Sequence, residues 1–212
     1  MQTLSAEQRR FFEQAATTYQ TDLSGDTAAL AYLKTRGLSP ADAATFRLGV
    51  VRRPLVGHEQ YSGRLAIPYL TPSGVVNIRF RCLQPHDCKA MDCPKYLSAN
   101  ASETNLYNVL DLKKDSSSIV VCEGEMDTMS FSLAGIPAVG VPGIEAWQKH
   151  FARCLEDFEV VYSAGDGDKA GAKLNGLLAR EVKARPLRFP LGEDGNSIYV
   201  KEGTDGLRRL LG

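Results

Sequence analysis

The sequence predicts an α+β N-terminal subdomain followed by an α/β domain whose mainly parallel sheet is flanked by helices. Three observations carry this expectation. Helix start and stop signals fill the chain ahead of Arg47. Between Arg64 and Cys82, apolar and polar residues alternate around a Thr71-Pro72-Ser73-Gly74 turn. From Ile119 onward, short apolar runs and helical stretches succeed one another, as strand–helix units on a parallel sheet do.

In order along the chain, Ser5 and Gln8 fit a capping box ahead of a helix reaching about Tyr19. Asp26 or Thr27 caps a second helix, closed by Gly37. Ser39-Pro40 reads as an N-cap with proline at the first helical position. Arg64–Tyr69 is a strand. Val76 to Cys82 is its hairpin partner, with Ile78, Phe80 and Cys82 on one side and Asn77, Arg79 and Arg81 on a polar, basic other side. The patch Lys113-Lys114-Asp115-Ser116-Ser117-Ser118 suits a boundary, giving domains 1–115 and 116–212. Beyond it come strand 119–122, a helix from about Asp127 to Leu133, and a strand from Ile136 to Val141. A helix with Trp147, Phe151 and Leu155, strand 159–162, and a helix from about Ala170 to Glu181 follow. A strand near Leu187–Phe189 and a short helix from Thr204 complete the pattern.

With 212 residues, 43% of them apolar, the chain can bury a core. No apolar stretch approaches the ~20 residues of a membrane span, and Met1-Gln2-Thr3-Leu4-Ser5 lacks the pattern of a leader. Five irregularly spaced cysteines suit reduced thiols in a cytoplasmic protein. The formal net charge is zero, but its distribution is uneven. From Arg47 to Lys95, eight Lys/Arg face three Asp/Glu, whereas residues 96–212 carry thirteen against seventeen. A basic middle beside an acidic C-terminal half suggests two functional surfaces.

Two acidic segments stand just past predicted strand ends: Glu123-Gly124-Glu125-Met126-Asp127 and Asp166-Gly167-Asp168-Lys169-Ala170-Gly171. Parallel sheets bind ligands beyond the carboxyl ends of their strands. If the two strands are neighbours, Glu123, Asp166 and Asp168 converge. Oxygen ligands of this kind suit Mg²⁺, and the carboxylates repel one another without a cation. Each segment read alone is equally a set of solvated loop acids or helix caps.

Val120–Asp127 followed by Ser163–Gly171 resembles the TOPRIM signature of primases, topoisomerases and some nucleases. The likeness extends to DnaG-type bacterial and phage primases. Tyr32–Ser39 resembles their early helical segment and Gly63–Tyr69 their "GR-I-P" strand. Pro94-Lys95-Tyr96-Leu97 resembles their "PKYLN" stretch, Asn105-Leu106-Tyr107-Asn108 their "NLYG", and Gly192-Glu193-Asp194 with Lys201-Glu202-Gly203 their later acidic stretch. The resemblance runs from about Ala31 to Gly203.

It implies a TOPRIM α/β domain and a nucleotidyltransferase that makes RNA primers from ribonucleoside triphosphates on a single-stranded DNA template. Glu123, Asp166 and Asp168 would be catalytic and would hold Mg²⁺ or Mn²⁺, with Asp194 an outer contributor. Arg81 and Lys95 match positions that contact template or nucleotide; Arg79 and Lys169 are further candidates. A replicative helicase or a complementary primase subunit is the implied partner, and no membrane is involved. The alternatives are a metal-dependent TOPRIM nuclease and a non-catalytic replisome or DNA-binding subunit; a topoisomerase would need more chain.

Some features depart from the family pattern. The family usually opens with a zinc module, whereas this chain opens on a helix and has no paired Cys-x-x-Cys. The helical and helicase parts that follow TOPRIM in the family are not seen. These differences suggest a reduced phage primase, half of a split one, or a trimmed piece. Asn196 stands where the family often has an aspartate, weakening a second metal site. Cys82, His86, Cys88 and Cys93 offer the right donors for zinc. Their spacing matches no common finger and Cys82 alternates onto the apolar side, so ordinary loop cysteines are the favoured reading. Cys122 and Cys154 read as small core residues; His58 and His150 receive no role.

Overall fold

The computed structural model describes residues 4–99 and 104–212; the Met1-Gln2-Thr3 start, read above for a leader, lies outside the described residues. The chain forms two compact units, Met1–Glu103 and Thr104–Gly212. Among the described residues, no helix is long and apolar enough to cross a membrane.

In the first unit, helices α1 (Ala6–Leu23), α2 (Thr27–Thr35) and α3 (Pro40–Thr45) start where the caps predict. Ser5 forms the capping box with Gln8, Asp26 accepts from the Ala29 N–H, and Ser39 forms a capping box with Asp42. The antiparallel sheet runs β1 (Gly49–Val50), β2 (Leu65–Thr71), β3 (Gly74–Arg81), β4 (Tyr96–Ser98), in that spatial order. Its core is aromatic: Phe12, Tyr19, Tyr61 and Phe80 are buried, and Tyr61 stacks on Phe80 with centroids 3.9 Å apart. His58, without a role in the sequence, lies buried among them, its Nδ1 2.8 Å from the Tyr19 hydroxyl oxygen.

The expected basic outer face of β3 is largely covered. Asn77 and Arg81 are only 2% and 7% exposed. The reason is β4: Tyr96 pairs opposite Arg81 and lays its ring beneath both Arg79 and Arg81. Alternation locates the two faces of a strand but not what a later strand brings to them.

In the second unit, the sheet is parallel throughout, in the order β6 (Ala138–Gly140), β5 (Ser118–Cys122), β7 (Val160–Ala164), β8 (Arg185–Pro186). Helices α4 (Glu125–Leu133), α5 (Lys169–Val182) and α6 (Gly195–Leu211) accompany it, α6 breaking at Gly203. The Trp147–Leu155 stretch forms short 3₁₀ turns, from Ile144–Ala146 and Lys149–Leu155, rather than the expected α-helix. The last strand is Arg185–Pro186, just ahead of the expected position.

The division falls at Glu103/Thr104, not at the serine patch placed at 115/116. Packing is the cause. Tyr107 bridges to Gly140, the Asn108 side chain donates to the Ala138 carbonyl, and Asp111 accepts from the Ala138 N–H. Leu106 enters the core with Ile119, Val121 and Val139. Polar composition marked a turn, whereas these bonds decide which unit owns residues 104–115. Cys122 is buried as expected, but Cys154 is exposed because its 3₁₀ turn points it outward.

Candidate metal centre and basic aromatic face

Strand β5 pairs directly with β7, Cys122 opposite Ala164. Glu123 and Asp166 therefore emerge at the same edge of adjacent strands, as the sequence requires for convergence. Gly165 and Gly171 make this edge possible. A Cβ on Gly171 would lie 2.0 Å from the Asp166 carbonyl oxygen, and one on Gly165 would lie 2.2 Å from that of Gly171. Helix α5 can thus press its first turn against the strand end.

Carboxylate oxygens of Asp127, Asp166 and Asp194 lie within 4.8 Å of one another. Asp166 leaves the end of β7. Asp194 caps α6, accepting from the Ser197 N–H at 2.6 Å. Asp127 sits in the first turn of α4 and accepts from the Asn196 N–H at 2.8 Å. Burial, then the charges of Asp194 and Asp166, push the Asp127 carboxyl up to about 7. Three hard oxygen donors this close together make a set suited to a divalent cation.

The remaining predicted acids stand beside this cluster. Glu123 is half-buried, its Oε2 3.4 Å from the Asp166 backbone nitrogen. Burial raises its carboxyl, and the Asp168 charge adds to the rise. Asp168 is exposed and caps α5, its Oδ1 accepting from the N–H groups of Ala170 and Gly171. It is not in the three-oxygen cluster; Asp127 is. The sequence signal for Asp127 is its place four residues after Glu123, which a helix beginning at Glu125 turns back toward the strand end. Asn196 is buried and donates its amide to Ser130 Oγ, tethering α6 to α4. Lys169, the first residue of α5, is exposed.

In the first unit, Arg79 lies 4.6 Å from the centre of the Tyr96 ring. Arg81 lies 5.1 Å from Tyr96 and 5.3 Å from Tyr32, and its Nη1 donates to the Tyr96 hydroxyl. Such stacking holds the guanidinium groups flat against the rings. Lys95 is exposed beside them. Arg81 and Lys95 line one rim of a cleft of ≈ 600 Å³, with Tyr32 and the Cys82–Cys93 loop forming its other walls. In that loop the Cys82, His86, Cys88 and Cys93 donor atoms all lie within 4.8 Å of one another.

A family described as Toprim-like matches residues 120–199. The Gene 57 protein of Mycobacterium phage D29 is 37% identical over 153 residues, covering 69% of this chain and 97% of that protein. A DNA primase of Pseudomonas aeruginosa is 32% identical over 139 residues, covering 57% of this chain and 21% of the primase. The chain thus spans about a fifth of that primase's length. A solved structure of the DnaG primase catalytic domain bound to ssDNA superposes with a TM-score of 0.75 at 22% identity, covering 98% of this chain and 80% of that one. The fold is that of a primase catalytic core.

Proposed function

The chain belongs to the Toprim-bearing DnaG-type primase family, and from that premise we propose that it synthesises short RNA primers on single-stranded DNA. The observation that carries this reading is the set of Asp127, Asp166 and Asp194, with Glu123 against the Asp166 backbone, at the carboxyl edge of adjacent parallel strands. The reaction joins the 3′-hydroxyl of one ribonucleotide to the α-phosphate of the next and expels pyrophosphate.

Asp127, Asp166 and Asp194 would hold Mg²⁺ or Mn²⁺, and Glu123 would complete or orient the set. A divalent ion bound there supplies a lowered pKa at the attacking hydroxyl and neutralises charge developing on the phosphates. Burial, then the Asp168 charge, raise the Glu123 carboxyl, and a cation beside it would offset that cost. Asp168 contributes by fixing the first turn of α5, which keeps Asp166 in position; its own carboxylate remains a candidate ligand. Lys169 can meet phosphate from the start of that helix. Lys95 would take template or nucleotide phosphates as a point charge, with half-buried Arg79 beside it, while Arg81, largely covered by Tyr96, would meet them only where it lines the cleft. A replicative helicase or a complementary primase subunit would supply whatever template positioning this chain does not.

The test is primer synthesis on single-stranded DNA with ribonucleotides and Mg²⁺ or Mn²⁺, with and without a replicative helicase. Glu123→Gln and Asp166→Asn are each expected to abolish it. Wild-type-level synthesis by both variants would overturn the reading. Metal-dependent cutting of labelled DNA without nucleotides would assign the same acids to a nuclease instead.

A further inference from the structure

We infer that Cys82, His86, Cys88 and Cys93 form a closed structural zinc site, separate from the carboxylate cluster and built into the β3–β4 connection. Distances carry the inference. A tetrahedron with Zn–S bonds of about 2.3 Å has sulfur–sulfur edges of about 3.8 Å, and slightly shorter edges to an imidazole nitrogen. Cys82 Sγ and Cys93 Sγ are 3.7 Å apart, and Cys82 Sγ is 3.8 Å from His86 Nε2. All four donor atoms fall within 4.8 Å of one another. All three cysteines are free thiols, so no disulfide competes for them in this structure.

The surrounding backbone is built to converge these donors. The Cys82 N–H donates to the Lys95 carbonyl at 2.9 Å, closing the neck of the loop. The Cys93 N–H donates to the Cys88 carbonyl at 2.8 Å, bringing the last two ligands together. Arg64 reaches in from outside, with Nη2 3.5 Å from Cys93 Sγ and Nη1 donating to the Pro94 carbonyl at 2.8 Å. Three thiolates around Zn²⁺ leave one negative charge, and a guanidinium beside them balances it.

The loop also has little else to order it. Met91 is 65% exposed and Gln84 to Asp87 are exposed, so the segment has no apolar core of its own. Ordering each residue costs about 1–2 kcal/mol, and a metal cross-link is what small core-less segments use to offset it. Alternation in the sequence put Cys82 on the apolar side. The strand ends at Arg81, which frees Cys82 to turn toward the loop. The site's consequence is local: it fixes the neck from which Arg81, Lys95 and Tyr96 project.

Metal analysis of the full chain, purified without chelator, is the test. One zinc per chain is expected. Replacement by Co²⁺ should give the intense thiolate-to-cobalt absorption of a tetrahedral, sulfur-rich site. Zinc should be lost in Cys88→Ser and kept in Cys154→Ser, whose thiol lies in the other unit. Removing zinc should open the 82–95 segment to protease. Substoichiometric zinc with no cobalt spectrum, a Cys82–Cys93 disulfide seen by mass, or full zinc retention in Cys88→Ser would each overturn the inference. The cobalt spectrum of the wild-type chain stands even if a variant fails to fold. None of these readouts depends on primer synthesis, so the primase reading stands or falls separately.

Discussion

Replacing Asp127 with asparagine is expected to stabilise the metal-free protein and abolish its response to Mg²⁺. In the fold, burial and two neighbouring carboxylates lift the Asp127 carboxyl from 3.8 to about 7. At about 1.4 kcal/mol per pH unit, ionising it at pH 8 costs the fold ~4 kcal/mol at most. The sign follows from which state releases the proton first. Below the unfolded value, Asp127 is protonated in both states and its full relative stability is present. As pH rises toward 7 the unfolded chain ionises first, and stability is lost until the folded carboxyl also ionises. Asparagine keeps an oxygen for the Asn196 N–H, which Asp127 accepts at 2.8 Å, and carries no charge. Allowing roughly half the gain for burying the amide leaves about 2 kcal/mol. For a unit of this size that is about 8 °C or more in melting temperature.

The assay is thermal melting followed in the second unit, in chelator at pH 5 and pH 8, then with excess Mg²⁺. Wild type should melt lower at pH 8 than at pH 5 in chelator, and Mg²⁺ should restore about 2–3 kcal/mol when present at 100 times its dissociation constant. Asp127→Asn should lose less stability than wild type between the two pH values, the raised Glu123 carboxyl keeping part of the slope, and should be insensitive to Mg²⁺. The reasoning fails if the variant melts at or below wild type at pH 8 in chelator, or if Mg²⁺ stabilises both chains equally.

Other perturbations probe the remaining pieces. His58 is held neutral by burial, which lowers its pKa. The Leu55 N–H donates to the Tyr19 hydroxyl, leaving that hydroxyl's hydrogen for His58 Nδ1. Its stabilising contribution is therefore present above about pH 6.5 and lost as pH falls through the depressed folded value. Melting of the first unit should decline below pH 6.5 in wild type and less steeply in His58→Gln. Gly171→Ala places a Cβ 2.0 Å from backbone oxygen at Asp166; it should destabilise the second unit by about 3 kcal/mol or more, read by denaturant unfolding. Asp168→Ala should remove the α5 cap and lower stability by about 1 kcal/mol. Asp168→Ser should recover that stability in the same unfolding experiment. Lys95→Ala should weaken single-stranded DNA binding and reduce the slope of log affinity against log salt by about 0.7, measured by fluorescence titration.

Local chemistry reads well from one dimension. Helix starts at Ser5, Asp26 and Ser39 were legible because a cap is made by residues within three positions of each other. The parallel order of strands was legible because apolar runs alternate with helices. Glu123 and Asp166 were legible as partners because a ligand-binding edge needs acids just past strand ends.

The 3₁₀ path of residues 149–155 was not legible, since its apolar spacing fits an α-helix equally well. Nor was the burial of Arg81, which depends on Tyr96 arriving from another strand.

The sequence by itself thus determined the fold class, the two strand-end acids and the placing of three cysteines and a histidine in one loop. Each is a matter of residue type and short spacing. Only the tertiary structure decided how they group. Asp127 joins Asp166 and Asp194 because α6 starts beside α4 and donates the Asn196 N–H to it. Asp168 turns instead to its own helix, where two N–H groups await it. The cysteines and His86 converge because the Cys82–Lys95 and Cys93–Cys88 backbone bonds fold their loop onto itself. Such clusters are defined by distances of a few ångströms between side-chain atoms, and those distances exist only once the chain has packed.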